Sequence, residues 1–271
     1  MFDLPFTTMQ RTHGDARVAL SLRGGGTRLD TLEQAGSAKA FLPRSHTPDP
    51  EIVFLNTAGG LTGGDALHYG VSLGGGARAT AATQTAERAY RSAGGVAAMR
   101  VALEVGRGAE LHWLPQETIL FDGAALSRET DVSLAADAKV LMIETVVLGR
   151  AAMGEHVRAL TFSDRRTVRR DGRLAWREPL VINTETLGHQ GAAALAGMRA
   201  FTTLAWIAPG AEDALARVRA AIADMPHAAA SAWEGKLIMR AMAEDAKPLR
   251  HLAKRCIEAL RGAPVPRVWQ V

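Results

Sequence analysis

A single cysteine, Cys256, stands among 271 residues. That excludes an internal disulfide framework and any CxxC metal site. Aromatic residues make up 5% of the chain, too few for the lines of rings on which sugars or bases stack. The longest apolar run, Val140 to Leu148, is interrupted by Glu144 and falls far short of a membrane span. The opening twenty residues show no basic start leading into an apolar core. No signal peptide is read there, and a cytoplasmic location is expected. The eight histidines are scattered, with no H-x-H, HExxH or i, i+4 pair, which argues against a structural zinc site. No G-x-S-x-G elbow occurs, and Cys256 falls on the apolar stripe of an expected helix, a poor place for a nucleophile.

Strong charge of one sign is also missing. The net charge is +4, and the basic excess, mostly Arg, is spread rather than gathered into a stripe, which speaks against nucleic acid. Arg165-Arg166 with Arg169-Arg170 is the main cluster outside the last helix. Arginine-rich surfaces suit protein partners that present carboxylates, because the guanidinium fork pairs with them at two points.

What is present is glycine. Gly59-Gly60 and Gly63-Gly64 bracket Leu61-Thr62 and are followed at once by Asp65. Paired glycines permit positive φ and close backbone approach. A phosphate loop would place Lys where Asp65 stands, and a dinucleotide fingerprint would open a helix. Here Leu67, Tyr69, Val71 and Leu73 alternate as a strand, so the stretch reads as a tight bend between strands. Some twenty residues on, Gln84, Glu87, Arg88, Tyr90 and Arg91 form a polar cluster.

Strand patterns dominate to about residue 182, at intervals near ten residues, with glycine turns at 24–26, 74–76 and 106–108. They include Leu67 to Leu73, Arg78 to Thr85, Val132 to Leu134, Lys139 to Leu148, Val157 to Phe162 and Arg173 to Ile182. Two helices are expected late: 211–225, stopped by Pro226, and one capped by Asp245 and ended by Gly262 and Pro264. A further strand is expected over 235–242. The expected fold is therefore mainly β, a solenoid-like or stacked-sheet body over about 15–210 with a helix-strand-helix end over about 211–262, in one domain. The helices cover an edge of the body or offer a docking face.

Carboxylates carry the most chemistry. Parity sets Glu144 on one strand face with Val140, Met142, Val146 and Leu148, while Leu141, Ile143 and Val147 occupy the other. Both faces read as buried, so Glu144 needs an Arg partner, a proton, internal water or a cation. Asp65, Glu87, Glu117, Asp122, Glu155 and Glu178 fall at strand ends or turns. Oxygen donors without His or Cys make weak transition-metal sites, which suits a route that an ion must leave as readily as it enters.

Four segments in series resemble the urease accessory protein family UreD, also called UreH: N-T-A-G-G-L-T-G-G-D (56–65), T-Q-T-A-E-R-A-Y-R-S (83–92), L-P-Q-E-T-I-L-F-D-G-A (114–124) and E-T-V-V-L-G-R-A-A-M-G-E (144–155). The likeness continues through R-D-G-R-L-A-W-R-E-P-L (170–180) into the last helix. It implies a mainly β, solenoid-like scaffold without catalytic turnover. Such a scaffold joins UreF and the GTPase UreG to apo-urease in a hetero-oligomer and helps deliver nickel, with no tightly bound cofactor but transient Ni2+. The motif residues it marks are Gly59, Gly60, Gly63, Gly64, Asp65, Gln84, Glu87, Tyr90, Arg91, Pro115, Gln116, Glu117, Phe121, Asp122, Glu144, Gly149, Arg150, Gly154 and Glu155. Asp65, Glu87, Glu144 and Glu178 are the candidates to line a nickel path. Two positions depart from the pattern: Ala66 and Pro179 stand where Arg is common, which leaves the partner of Glu178 open. The other class that the strand pattern allows, a β-solenoid enzyme or binder for carbohydrate, needs an exposed line of aromatic and acidic residues.

Overall fold

The computed structural model describes residues 11–44, 49–189, 191 and 194–270. In chain order its strands are β1 (His13–Arg23), β2 (Gly26–Gly36), β3 (Ala38–Phe41), β4 (Glu51–Asn56), β5 (Ala66–Leu73) and β6 (Arg78–Thr83). There follow β7 (Glu87–Ala89), β8 (Ala97–Val105), β9 (Glu110–Trp113), β10 (Thr118–Leu120), β11 (Ala124–Leu134) and β12 (Lys139–Leu148). The last strands are β13 (Leu160–Arg170), β14 (Arg173–Asn183), β15 (Ala200–Ile207), β16 (Ala228–Trp233) and β17 (Lys236–Ala243). Among the described residues three α-helices accompany them: α1 (Thr184–Leu187), α2 (Leu215–Ala221) and α3 (Ala246–Arg261).

From β4 to β13 the chain shuttles between two sheets. One has seven strands in the order β14-β13-β11-β8-β5-β1-β2; the other runs β16-β17-β15-β12-β9-β6-β4-β3, with β10 beside β12 and β7 beside β10. Neighbouring strands of successive coils pair in parallel, as in β5 with β8 and β8 with β11, so each sheet is a stack of equivalent rungs. This is the stacked-coil, mainly β body that the glycine-spaced strands led us to expect. In-register stacking makes side-chain rows: Val18, Val71, Leu103, Val132 and Val168 lie side by side across five strands. Alternation turns every second residue of each rung inward, and the inward rows of the two sheets meet in one apolar core.

A second core lies on the far side of the ten-stranded sheet. Leu141, Ile143 and Val147 of β12 point into it and meet Leu249, Leu252, Cys256 and Ile257 of α3, with Val218 of α2 and Trp269 of the tail. The two faces of β12 thus serve two cores, as its continuous apolar run requires. Asp245 caps α3 by accepting from the Lys247 backbone N–H at 2.8 Å, and Gly262 ends it in the left-handed conformation. The helix over 211–225 is shorter than its pattern: a 3-10 turn (Ala211–Ala214) leads into α2, which ends at Ala221. Gly210 and the adjoining short-turn geometry take up its first residues, and Ile222 to Asp224 form a turn after α2. The expected strand over 235–242 is β17, which pairs with β15 and extends the ten-stranded sheet.

Two strands run longer than their hydrophobicity suggests. β11 begins at Ala124 rather than Val132, and β13 continues to Arg170 rather than stopping at Phe162. Arg128, Glu129, Asp131, Asp164 and Arg166 make these stretches read as loop, yet Arg128, Asp164 and Arg166 occupy inward positions.

Candidate functional site

The glycine bend is held by Asp65. Its two carboxylate oxygens accept from the backbone N–H groups of Thr12 and Thr62, each at 2.8 Å. Leu61 lies in a parallel bridge with Ala89, with Leu61 N–H to Arg88 O at 2.7 Å and Tyr90 N–H to Leu61 O at 2.8 Å. Gly63 sits where a Cβ would come within 2.3 Å of Gly94 O and 2.5 Å of Gly95 O, so no side chain fits there. Close approach explains the glycine at 63, and positive φ explains those at 59 and 64.

The four sequence segments occupy the same corner of successive coils. β7, β10 and the end of β12 pair in parallel there, so the corners stack as the rungs do. The Tyr90 hydroxyl donates to Gly59 O at 3.1 Å, and its ring meets Phe121 edge-on at 4.9 Å. The Arg150 guanidinium lies 4.5 Å from the centre of the other motif ring, Phe121. Arg150 Nε donates to Glu155 at 2.8 Å, and Glu155 accepts from the Asp122 N–H at 3.2 Å. Asp122 accepts from the N–H groups of Arg158 and Ala159 and pairs with Arg91. Those backbone donors hold the Asp122 carboxyl below its usual range, with Arg91 adding to the effect. Gly149 and Gly154, both with positive φ, bound the short turn that carries Arg150 into this corner. The result is a surface ladder built from residues of all four segments, with Tyr90, Arg91 and Arg150 at its exposed edge.

Pro115, Gln116 and Glu117 do different work. They interrupt the strand between β9 and β10 and turn toward α3, where Arg250 reaches both Gln116 and Glu117, the latter at 3.0 Å. The Gln116 amide also donates to Val268 O at 2.8 Å, tying the tail to the body. Gln84 is exposed and borders the same groove, a space of about 1440 Å³ along α3 that Phe41, Lys247, Val265 and Arg267 also line.

Inside the first core, Glu144 is fully buried and paired. Arg128 Nη1 lies 2.6 Å from Glu144 Oε2, and the Trp113 indole N–H donates to the other oxygen at 3.1 Å. Arg128 also donates twice to Asp164, at 3.0 and 2.8 Å, and once to Thr118 Oγ1 at 2.9 Å. Beyond Asp164 stand Arg166, at 3.3 Å, then Glu178 and Arg240. Glu144, Arg128, Asp164, Arg166, Glu178 and Arg240 thus alternate in sign from the centre of the body to a groove of about 710 Å³, floored by Arg166, Glu178, Phe201, Thr203 and Met242. Burial raises the Glu144 pKa despite Arg128. Burial works the same way on Asp164, but Arg128 and Arg166 outweigh it and keep that carboxyl below its ordinary value. The partner of Glu178 left open by Pro179 is Arg240, at 2.9 Å, and Pro179 itself lies on the edge strand β14, where a missing N–H costs no ladder bond.

Glu87 is separate from this chain. It accepts from the Asn56 amide at 3.2 Å and borders a cavity of about 20 Å³ shared with Tyr69 and Thr83, room for one water. Burial pushes its pKa up to about 7, against the opposing pull of Asn56 and Arg88. Asp65, Glu87, Glu144 and Glu178 do not gather at one point, and among the described residues no group of three His, Cys, Asp or Glu side chains could hold a metal ion. Sequence reasoning missed Trp113, Arg128, Asp164 and Arg166. The signal for the last three was parity: Arg128 follows Leu126, and Asp164 and Arg166 lie between Phe162 and Val168 at inward positions.

Comparison with known proteins decides the family. The model for the UreD urease accessory protein family matches residues 12–270. The chain belongs to the UreD family. It is 53% identical over 265 residues to the urease accessory protein UreD of Dinoroseobacter shibae, covering 97% of this chain and 94% of that protein. To the UreD of Cereibacter sphaeroides (ATCC 17025) it is 54% identical over 269 residues, 98% of each chain. To that of Rhizobium leguminosarum bv. trifolii it is 44% identical over 273 aligned positions, covering 98% of this chain and 97% of the relative. The resemblance first carried by four short segments therefore extends across the described body, both cores and the tail. No helix among the described residues is long and apolar enough to cross a membrane.

Proposed function

We propose that this protein is a non-catalytic assembly factor in urease maturation, joining UreF and the GTPase UreG to apo-urease and helping nickel reach the urease active site. The observation that carries the reading is the family match over 12–270, supported by the gathering of its four motif segments on one corner of the coil stack. That corner presents an arginine and aromatic edge, the chemistry that recognises carboxylate-bearing protein surfaces.

Nickel is cargo in this scheme. Of the four candidate acids, Asp65 and Glu144 have their oxygens engaged by backbone N–H groups, Arg128 and Trp113. They frame the route. Glu87, beside a water-sized cavity, and the Oε2 of Glu178, which takes no hydrogen bond although Oε1 is held by Arg240, offer the loose oxygen contacts that transit requires. For UreF we propose the groove along α3. The apolar stripe of α3 is consumed by the second core, so docking falls to its solvent side and to Lys247 and Arg267.

Co-expression of the urease subunits with UreF, UreG and variants of this chain tests the scheme. The Glu87→Gln, Glu178→Gln double variant keeps the assembly in pull-down but lowers the nickel content of purified urease several-fold. Lys247→Glu with Arg267→Glu weakens UreF capture. Full metallation with the double acid variant removes the route, and full metallation in a host lacking this chain removes the function.

A further inference from the structure

Most edges of the two sheets are short, covered or interrupted. β14 carries Pro179, and β3 spans four residues with its Ala40 N–H donating to Gln34 Oε1 at 3.0 Å. β2 differs. It spans eleven residues and pairs only with β1 among the described residues, so one whole side of its backbone ladder faces outward. Leu29 and Leu32 on β2 are 44% and 38% exposed, and Leu22 beside them is 47% exposed. Pairing with the buried Val18 and Leu20 of β1, and with Leu22 on the same face of that strand, sets Thr27, Leu29, Leu32 and Gln34 on the inner face. A bulge at Asp30 puts both Asp30 and Thr31 on the outer face; Asp30 takes hydrogen bonds there from Ser21 and Arg23.

The bulge determines what this edge can accept. When β2 is laid antiparallel against a second β2, one register alone keeps every inner residue opposite an inner one. It pairs Asp30 with Thr31, Leu29 with Leu32, Arg28 with Glu33, and Thr27 with Gln34, about a two-fold axis between Asp30 and Thr31. In that register leucine meets leucine twice and arginine meets glutamate twice. Exposed edge charges ordinarily block strand addition, but these two cancel across the axis. The bulge, which breaks the pattern within one strand, restores it between two. We propose that β2 is the seam of a homodimer, in which two copies of this chain join their seven-stranded sheets through antiparallel β2 pairing in this register.

Sedimentation velocity of the purified full chain over a concentration series reads the association, with circular dichroism as a check on folding. Arg28→Glu alone sets two carboxylates against each other at both ends of the seam, each facing Glu33 of the other copy, and weakens the dimer about tenfold. Glu33→Arg alone does the same with two arginine pairs. The Arg28→Glu, Glu33→Arg double variant recovers dimerisation. An equimolar mixture of the two single variants forms a heterodimer, because each supplies the charge that the other lacks. A wild-type chain that stays monomeric overturns the proposal, as does one that dimerises only once residues 1–10 are removed. So does a dimer indifferent to both single changes. These outcomes are independent of urease maturation.

Discussion

Replacing Arg128 with Met tests whether the alternating charges in the core hold the two sheets together. Arg128 is 2% exposed and satisfies two carboxylates from different sheets, Asp164 on β13 and Glu144 on β12. Met fills much of the same volume, so the change removes charge and donors rather than opening a large cavity. Removing one partner from a buried ion pair costs about 3–5 kcal/mol, because the remaining charge stays out of water. Asp164 keeps Arg166 at 3.3 Å, and Glu144 keeps the Trp113 N–H, which places the cost toward the lower part of that range. With a urea m-value of roughly 3 kcal/mol/M for a chain this long, the midpoint falls by about 1 M. Tryptophan fluorescence, which Trp113 reports from within the network, and circular dichroism follow the transition. Adding Glu144→Gln to the Met variant neutralises one stranded carboxylate and recovers part of the loss, so the two changes are not additive. The loss also shrinks at acid pH. Burial already raises the Glu144 pKa, so its contribution to stability is full below the unfolded value and is lost as pH rises through the folded one. Without Arg128 that folded value rises further, and protonation relieves more of the cost. An unchanged urea midpoint for the Met variant, or a double variant no more stable than the single, would refute the reasoning.

Two further outcomes follow from other parts of the body. The Glu87 pKa is pushed from 4.5 to about 7, so its contribution to stability is lost as pH rises through that window. Glu87→Gln keeps an oxygen for Asn56 and flattens this slope; it stabilises the protein by about 3 kcal/mol at pH 8 and has little effect at pH 4, read from urea midpoints across pH. A variant whose pH profile matches wild type contradicts this. Gly63→Ala drives a methyl into the Gly94 and Gly95 carbonyls and lowers stability by about 2 kcal/mol in thermal melts, whereas full retention of the melting temperature shows that the loop at 92–95 can move aside.

The local grammar of this protein is written in short stretches of its chain. Glycine pairs marked the bends, period-two alternation marked β5 and β6, a continuous apolar run marked β12, and Asp245 with Gly262 bounded α3, because turn geometry, strand parity and helix capping are decided within a few residues. Parity even fixed which residues share the buried face of Glu144. Pairing lay beyond that reach. Nothing local to Arg128 says that Glu144 and Asp164 will be its neighbours, and its charge made β11 look like loop until three strands brought the opposite charges together. Likewise the four motif segments are separate in the chain, and only in-register stacking of successive coils makes one surface of Tyr90, Phe121 and Arg150. The open edge at β2 is a fact of sheet order. Short-range sterics act on neighbours in sequence, while burial and charge compensation act on neighbours in space, and those neighbours exist only once the chain has folded.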